Sequence, residues 1–491
     1  MSKGADKTTR GFFGHPLGLL NLFSTEFCER FSYYGMRAIL VYYLYDATAN
    51  GGLGLAETDA MIIMSLFGSL VYLTSIIGGW LADRLLGPYR SILYGGATIA
   101  AGHMVLGLPL GMGGTVVALG LIVLGTGLLK PNVSVMVGEL YARDDPRRAA
   151  GFSLLYMSIN IGGFISPLIV GGVSRASGYH VAFLIPAVFM ALGLFVYIAL
   201  SKRTLAGIGR EVIEPLSMAE KQRWAWITVA GVVLLAAVLG GAQLLGVLSV
   251  QRLGDAIPVL CGGIAVVLFI VIFRDRQLTS DERSRMLAYI PLFLAATCFF
   301  AMSEQQSSTL AMVADKFVDK NLGGFEIPAA WYASINPLVI IFVSPIFAAL
   351  WTRLGNRQPS LMVKVAVGLA IASGGFVILA LGFFAAGPNP DISPLLLLAA
   401  YVFITLGELL LSPTGLAATT QLAPRVHLSK MMGLWFIATA MGQAVNAIAV
   451  QRFDASAPAG FYLAYALVAL AVAALILIFR RRLLAWARGV R

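Results

Sequence analysis

Fourteen runs of about twenty mostly apolar residues follow one another along the 491-residue chain. At ~1.5 Å of rise per residue, about twenty such residues cross a bilayer core. The spacing predicts spans near 17–46, 60–82, 91–111, 115–138, 149–173, 181–200, 224–250, 256–273, 287–314, 327–351, 361–387, 392–422, 431–450 and 457–479. In lipid a backbone must bond within its own segment or close into a barrel, so runs of this length read as helices. The expectation is an all-α integral membrane protein. Only 12% of residues are charged, about half the share of a soluble protein. A soluble enzyme, a nucleic-acid binder and a disordered chain are all disfavoured.

The net charge of +11 follows from topology. With the N-terminus inside, 27 of the 35 lysines and arginines fall in inner segments and 5 in outer loops, leaving Arg30, Arg37 and Lys130 inside spans. That bias places both termini in the cytoplasm and requires an even number of spans. The basic isoelectric point therefore needs no nucleic-acid partner. The cysteines Cys28, Cys261 and Cys298 lie in apolar segments and imply no disulfide framework. The histidines have no metal-ligand spacing. The first apolar run lacks a small-residue cleavage site, which argues against a cleaved signal peptide.

A weak repeat relates the two halves. GGWLADRLLGPYR (78–90) follows the second span, and AALWTRLGNR (348–357) follows the tenth. The predicted organisation is a six-helix bundle over 1–200, linkers and an inserted hairpin over 201–285, and a second six-helix bundle over 286–491. The hairpin spans carry no charged residue and are expected to be peripheral and lipid-facing. Two six-helix halves with a site between them is a transporter architecture.

Charges inside spans point to the chemistry. Each costs roughly 2.5–3.5 kcal/mol at the bilayer centre. Seven occur: Glu26, Glu29, Arg30, Arg37, Lys130, Glu304 and Glu408. They must pair with one another or face a wet interior. Positions 26, 29, 30, 33 and 37 are spaced to form one stripe on an α-helix. An ion-pair ladder that only fixes packing is the alternative for Glu26, Glu29 and Arg30. Lys130, Glu304 and Glu408 lie about 15–17 residues into their spans, ~22–26 Å from the entry end and near mid-depth. Snorkelling could serve Lys130, but a glutamate at that depth reaches water poorly.

Neutral polar groups accompany the charges: Tyr33, Tyr34, Tyr72, Asn160 and Asn336, with Ser303, Gln305 and Gln306 flanking Glu304. Tyr72 and Asn160 could equally bond between helices. Trp435 could wall a pocket or simply pack. His103 reads as a structural histidine, having no ionisable neighbour in its span. Pro131 follows Lys130, and Pro413 lies five residues past Glu408, so a bend beside each charge is expected.

These residues resemble the proton-dependent oligopeptide transporter (POT) family of the major facilitator superfamily. EFCERFSYYGMR looks like that family's first-helix motif. GGWLADRLLGPYRSILYGG and FSLLYMSINIGGFISP look like its two signature stretches. GTGLLKPN and GELLLSPTGL look like its fourth-helix lysine and late glutamate motifs. The resemblance spans nearly the whole chain and implies the major facilitator fold with a hairpin inserted between two six-helix bundles, fourteen transmembrane helices in all. It implies a proton-coupled symporter importing di- and tripeptides across a bacterial inner membrane by alternating access.

The resemblance also assigns roles. Glu26, Glu29, Arg30 and Glu304 would couple protons. Arg37 and Lys130 would take a peptide carboxylate, and Glu408 the ammonium. Tyr33, Tyr34, Tyr72, Asn160, Asn336 and Trp435 would line the pocket. Arg37 with Glu304, and Lys130 with Glu408, would close gates assisted by Pro131 and Pro413. No cofactor beyond the proton, no metal and a monomer in lipid are expected. The competing readings are transport of another solute (nitrate, a drug or an amino-acid conjugate), a non-transporting receptor, and an intramembrane enzyme. The last is disfavoured because no nucleophile–base dyad or metal motif is present.

Overall fold

A computed structural model describes residues 11–142, 144–322, 324–387 and 391–490. The basic residues Lys3, Lys7, Arg10, Arg143 and Arg491 of the charge count lie outside them. The fourteen expected spans all form. The first six are α1 (Leu17–Tyr45), α2 (Glu57–Leu81, continued by a π turn at Ala82–Leu86), α3 (Pro88–Leu106), α4 (Gly111–Glu139), α5 (Arg147–Ser177) and α6 (Tyr179–Thr204). The hairpin is α7 (Met218–Leu244) and α8 (Val250–Phe273). One interrupted span follows, α9 (Ser280–Ser303) and α10 (Thr309–Lys316). Then come α11 (Ile335–Leu354), α12 (Leu361–Ala386), α13 (Pro394–Gln421), α14 (Leu428–Ala449), α15 (Pro458–Ile478) and a short α16 (Arg480–Trp486). A ribbon of two-residue strands, Asn321–Leu322 with Phe325–Glu326, lies between α10 and α11.

Twelve of the helical spans are long and apolar enough to cross a membrane by composition alone. The two that are not are α1 and α3. Helix α1 carries Glu26, Glu29, Arg30 and Arg37, and α3 carries Arg90 and His103 among glycines. The local starts follow ordinary capping chemistry. Ser217 with Glu220 and Thr279 with Glu282 form reciprocal capping boxes for α7 and α9. Proline opens α3, α13 and α15, where its missing N–H would be unpaired anyway. Gly178, at φ +82°, turns the chain between α5 and α6 in a single residue.

Packing divides the chain into two compact units. The first comprises Met1–Met36, Thr74–Ser166 and Tyr179–Val247; the second comprises Arg37–Leu73, Pro167–Gly178 and Leu248–Arg491. Three helices, α1, α2 and α5, are therefore shared, each contributing one part to each unit. In the first unit Leu19, Leu22, Ile92, Val133, Met136 and Tyr197 bring α1, α3, α4 and α6 into one apolar core. In the second, Met61, Ile62, Met312, Ala447 and Val450 join the start of α2 to α10 and the end of α14. Helix α8 seats Cys261 against Ala440 and Ala444 of α14. Helix α7 has no buried residue.

Each unit contains the same close helix pair, and that is the clearest trace of the internal repeat. A Cβ on Gly95 of α3 would lie 2.6 Å from the Gly125 carbonyl of α4, and one on Gly125 would lie 2.6 Å from the Gly95 carbonyl. In the second unit a Cβ on Gly368 of α12 would lie 3.0 Å from the Gly407 carbonyl of α13, and one on Gly407 would lie 2.5 Å from the Gly368 carbonyl. Lipid supplies no hydrophobic drive between helices, so backbone approach at small residues does the packing. Gly95→Ala overpacks this contact at a cost of typically about 1–3 kcal/mol. The expected result is a lower unfolding midpoint in detergent, read by intrinsic fluorescence. An unchanged midpoint would refute the close approach.

The ninth span breaks within the bilayer. Between α9 and α10, residues Glu304–Ser307 form a 3-10 turn and Ser308 leaves helical geometry. No glycine or proline is present to cause it. Seven consecutive polar residues, Ser303 to Thr309, occupy the break, and such side chains compete with the backbone for its own hydrogen bonds. The Ser308 hydroxyl donates to the Glu304 carbonyl at 3.2 Å, and the Tyr401 hydroxyl donates to the Gln306 carbonyl at 3.0 Å. Irregular backbone at membrane depth requires partners of this kind.

Candidate substrate and proton site

In the first unit the stripe on α1 becomes a buried ion cluster. Glu26, Glu29 and Arg30 are 4%, 0% and 3% exposed. Arg30 Nε lies 3.2 Å from Glu26 Oε1 and donates to Glu29 Oε2. The guanidinium also sits 5.4 Å from the centre of the Tyr33 ring, a favourable cation–π position. Tyr33 and Tyr34 meet edge to face at 5.5 Å. The cluster holds two carboxylates and one guanidinium, and the charge of Lys130 on α4 also acts on Glu26. Glu26 Oε2, Glu29 Oε1 and Arg30 Nη2 have no hydrogen-bond partner among the described residues. Gly162 of α5 makes room for it: a Cβ there would lie 2.9 Å from the Phe27 carbonyl and 3.3 Å from Arg30 Cβ.

Lys130 sits half-buried on α4 of the same unit, directly before Pro131. Pro131 lies inside a continuous helix, where its ring removes the bond to the Gly127 carbonyl. That carbonyl faces Gly78 of α2, whose missing side chain lets the two backbones approach. Asn160, buried on α5, donates to the Tyr156 carbonyl of its own helix at 2.8 Å. His103 is fully buried, and neither ring nitrogen is bonded among the described residues. It joins no charged cluster.

In the second unit Arg37, on the last turns of α1, is held at the break in the ninth span. Its Nη2 is bonded to Glu304 Oε2 and donates to Ser307 Oγ at 2.8 Å. The side chains are only 14% and 11% exposed. This pair heads a series of ties along the same end of α1, α2 and α5. Tyr42 donates to the Ala311 carbonyl at 3.1 Å and Tyr45 to Asp315 Oδ2 at 2.7 Å. Lys316 pairs with Glu57, and Arg175 with Glu326. The Trp331 indole N–H donates to the Leu168 carbonyl at 3.0 Å.

Glu408 on α13 accepts from Asn336 Nδ2 at 2.8 Å, and the same amide donates to Thr405 at 3.1 Å. Asn336 reaches there because it stands on the first turn of α11, just after a 3-10 turn at Ala329–Ser334. Pro413 lies inside α13 without ending it. Tyr72 packs on the Cys261–Ala440–Ala444 cluster. Trp435 is buried against Phe300, with ring centres 5.8 Å apart, and its edge fills the space beside Gly415.

Sequence reasoning missed one cluster. Asn446 of α14 binds Gln305, donates to Ser65 at 3.0 Å and to Ser308 at 3.2 Å, and accepts from Tyr465 at 3.1 Å. It ties the broken ninth span to α2, α14 and α15. The uninterrupted polar run at 303–309 was the available signal.

Buried ion pairs on α1 and at the break in the ninth span suit a membrane transporter, and the family comparison gives that class directly. A family model described as the POT family matches residues 89–478. The chain belongs to that family. It is 42% identical to a di-/tripeptide transporter of Lactococcus lactis subsp. cremoris, over 99% of each chain. It is 46% identical to the uncharacterised transporter YclF of Bacillus subtilis, over 91% of this chain and 89% of the relative. A crystal structure of the peptide transporter POT in complex with sulfate superposes with a TM-score of 0.95 at 44% identity, covering 98% of this chain and 97% of the other. A POT family transporter in complex with 5-aminolevulinic acid gives a TM-score of 0.93 at 36% identity, covering 96% and 98%. The major facilitator fold follows from these superpositions.

Proposed function

We propose that this chain is a proton-coupled symporter that imports di- and tripeptides across a bacterial inner membrane, with both termini in the cytoplasm. Two relatives from Lactococcus lactis are di-/tripeptide transporters, and the observation that carries the coupling is the buried cluster of Glu26, Glu29 and Arg30, on which the charge of Lys130 also acts. A buried carboxylate whose cationic partner is drawn away by substrate can take a proton in its place. A proton there frees part of Arg30's charge. Arg37 and Lys130 take the peptide carboxylate, and Glu408, oriented by Asn336, takes the ammonium. Tyr33, Tyr34, Tyr72, Asn160 and Trp435 shape the surroundings, and Pro131 and Pro413 let α4 and α13 bend. Residues 1–200 and 286–491 rock as two six-helix bundles, with 201–285 as a peripheral insert.

The coupling is energetically sufficient. One proton falling through 100 mV and one pH unit releases ~3.7 kcal/mol, enough for roughly 500-fold accumulation of a neutral zwitterion. Counterflow with dialanine tests the substrate class: labelled peptide should exchange into preloaded liposomes, and absence of exchange would remove it. A second reading, transport of a small amino-acid-like zwitterion, is favoured by the relative bound to 5-aminolevulinic acid. Competition would separate the two, since a peptide carrier loses dialanine uptake only to an excess of the smaller solute.

The Arg37–Glu304 pair serves as the outer gate. Removing one partner of a buried pair leaves the other uncompensated, at a cost of about 3–5 kcal/mol. Glu304→Gln should therefore open this end. In a background without the native cysteines, Ala311→Cys should react faster with an impermeant maleimide when Glu304 is replaced. Equal rates would show that the pair does not hold the gate.

A further inference from the structure

A groove of about 390 Å³ runs down the outside of the second unit between α9 and α15, and α16 forms its floor. Its walls are apolar: Pro291 and Leu294 on one side, Leu475 and Phe479 on the other. At its lower end stand Arg482 and Trp486, with the guanidinium 5.0 Å from the indole ring centre. The floor is fixed in place. Leu483 is buried, the Ser284 hydroxyl donates to the Trp486 carbonyl at 2.9 Å, and Arg488 Nε lies 3.4 Å from Asp281 Oδ1.

The charge pattern says what fits. No acidic residue lines the groove. Arg482 lines this end, and Arg480 and Arg481, just before it on α16, are also exposed. From Ala455 to Arg491 the chain carries five arginines and no Asp or Glu. A slot that is apolar along its length and strongly basic at the interfacial end complements an amphiphile with an acyl chain and an anionic head. A soluble anion would leave the apolar length unfilled. A zwitterionic lipid would gain little from the Arg482 guanidinium and the positive charge of this acid-free segment. Arginine also stays charged at any physiological pH and matches phosphate oxygens in pairs.

We propose that this groove binds one anionic phospholipid. An acyl chain lies along Leu294, Leu475 and Phe479, and the phosphate rests on Arg482, with Arg480 and Arg481 adding to the positive field from the same helix. The assignment stands independently of which solute the protein carries.

Native mass spectrometry of the full-length protein in detergent tests it, with phosphatidylglycerol and phosphatidylcholine titrated in competition. Basic residues near a membrane surface attract anionic lipid with an effect of about fivefold each. The expected result is a phosphatidylglycerol preference of at least that size, lowered about fivefold by Arg482→Gln and abolished when all three arginines are replaced by Gln. Leu475→Trp, which fills the slot, should lower binding of both lipids while the unfolding midpoint stays near that of the unaltered protein. Equal retention of the two lipids, or a preference that survives the triple replacement, would overturn the proposal. So would inorganic phosphate blocking the adduct at equal concentration, which would mean a free anion site. A dimer appearing in place of the lipid adduct would assign the groove to a second copy of the chain and overturn it equally.

Discussion

Glu29→Gln should abolish dipeptide uptake driven by a pH gradient while peptide exchange across liposomes continues. Glu29 is fully buried and bonded to Arg30, and Glu26 lies on the guanidinium's same nitrogen at 3.2 Å. Replacing Glu29 by an amide keeps the size of the side chain but removes a protonatable, cation-pairing group from the cluster. Exchange moves no net proton and needs only binding and reorientation. Accumulation should therefore fall about 100-fold or more, close to the whole of what one coupled proton supplies. Counterflow should fall far less. Full gradient-driven uptake by this variant would refute the coupling role. Loss of both activities in a folded protein would show that Glu29 holds the structure and does not couple.

Glu408→Gln should discriminate between peptides by their N-terminus. The amide keeps the size of the side chain and its position next to Asn336. It loses the charge that answers an ammonium. Truncating one partner of a desolvated ion pair costs about 2–5 kcal/mol, or roughly 30- to several-thousand-fold in affinity. A free dipeptide should lose affinity on that scale. An N-acetylated dipeptide has no ammonium to lose and should change little. Competition against a labelled substrate measures both, and equal loss for both peptides would contradict the assignment.

The fold was legible where a single physical variable sets it. Span length follows from bilayer thickness, so α7 could be placed from its apolar run alone even though it buries nothing. The ion cluster of Glu26, Glu29 and Arg30 was legible because its spacing is local to one helix. The break at Glu304 was not, because a sliding apolar window runs straight through it and no glycine or proline marks it. Its cause is a polar run whose partners, Tyr401 and Asn446, come from distant helices. Asn446 itself looks like one more small polar residue on α14, and only tertiary structure makes it a junction. The role of Glu304 as the partner of Arg37, 267 residues away, came from family resemblance, since no spacing within one helix could give it. Trp435 shows the opposite difficulty: its sequence context allows a pocket wall, and packing against Gly415 and Phe300 decides what it touches.

The account depends on proton movement and peptide movement being one process. Purified protein in sealed liposomes, given labelled dialanine outside and an inward proton gradient, measures this directly. The prediction is accumulation well above equilibrium that collapses to equilibration when a protonophore is added. Accumulation unaffected by the protonophore, or no peptide entry with or without the gradient, would contradict it.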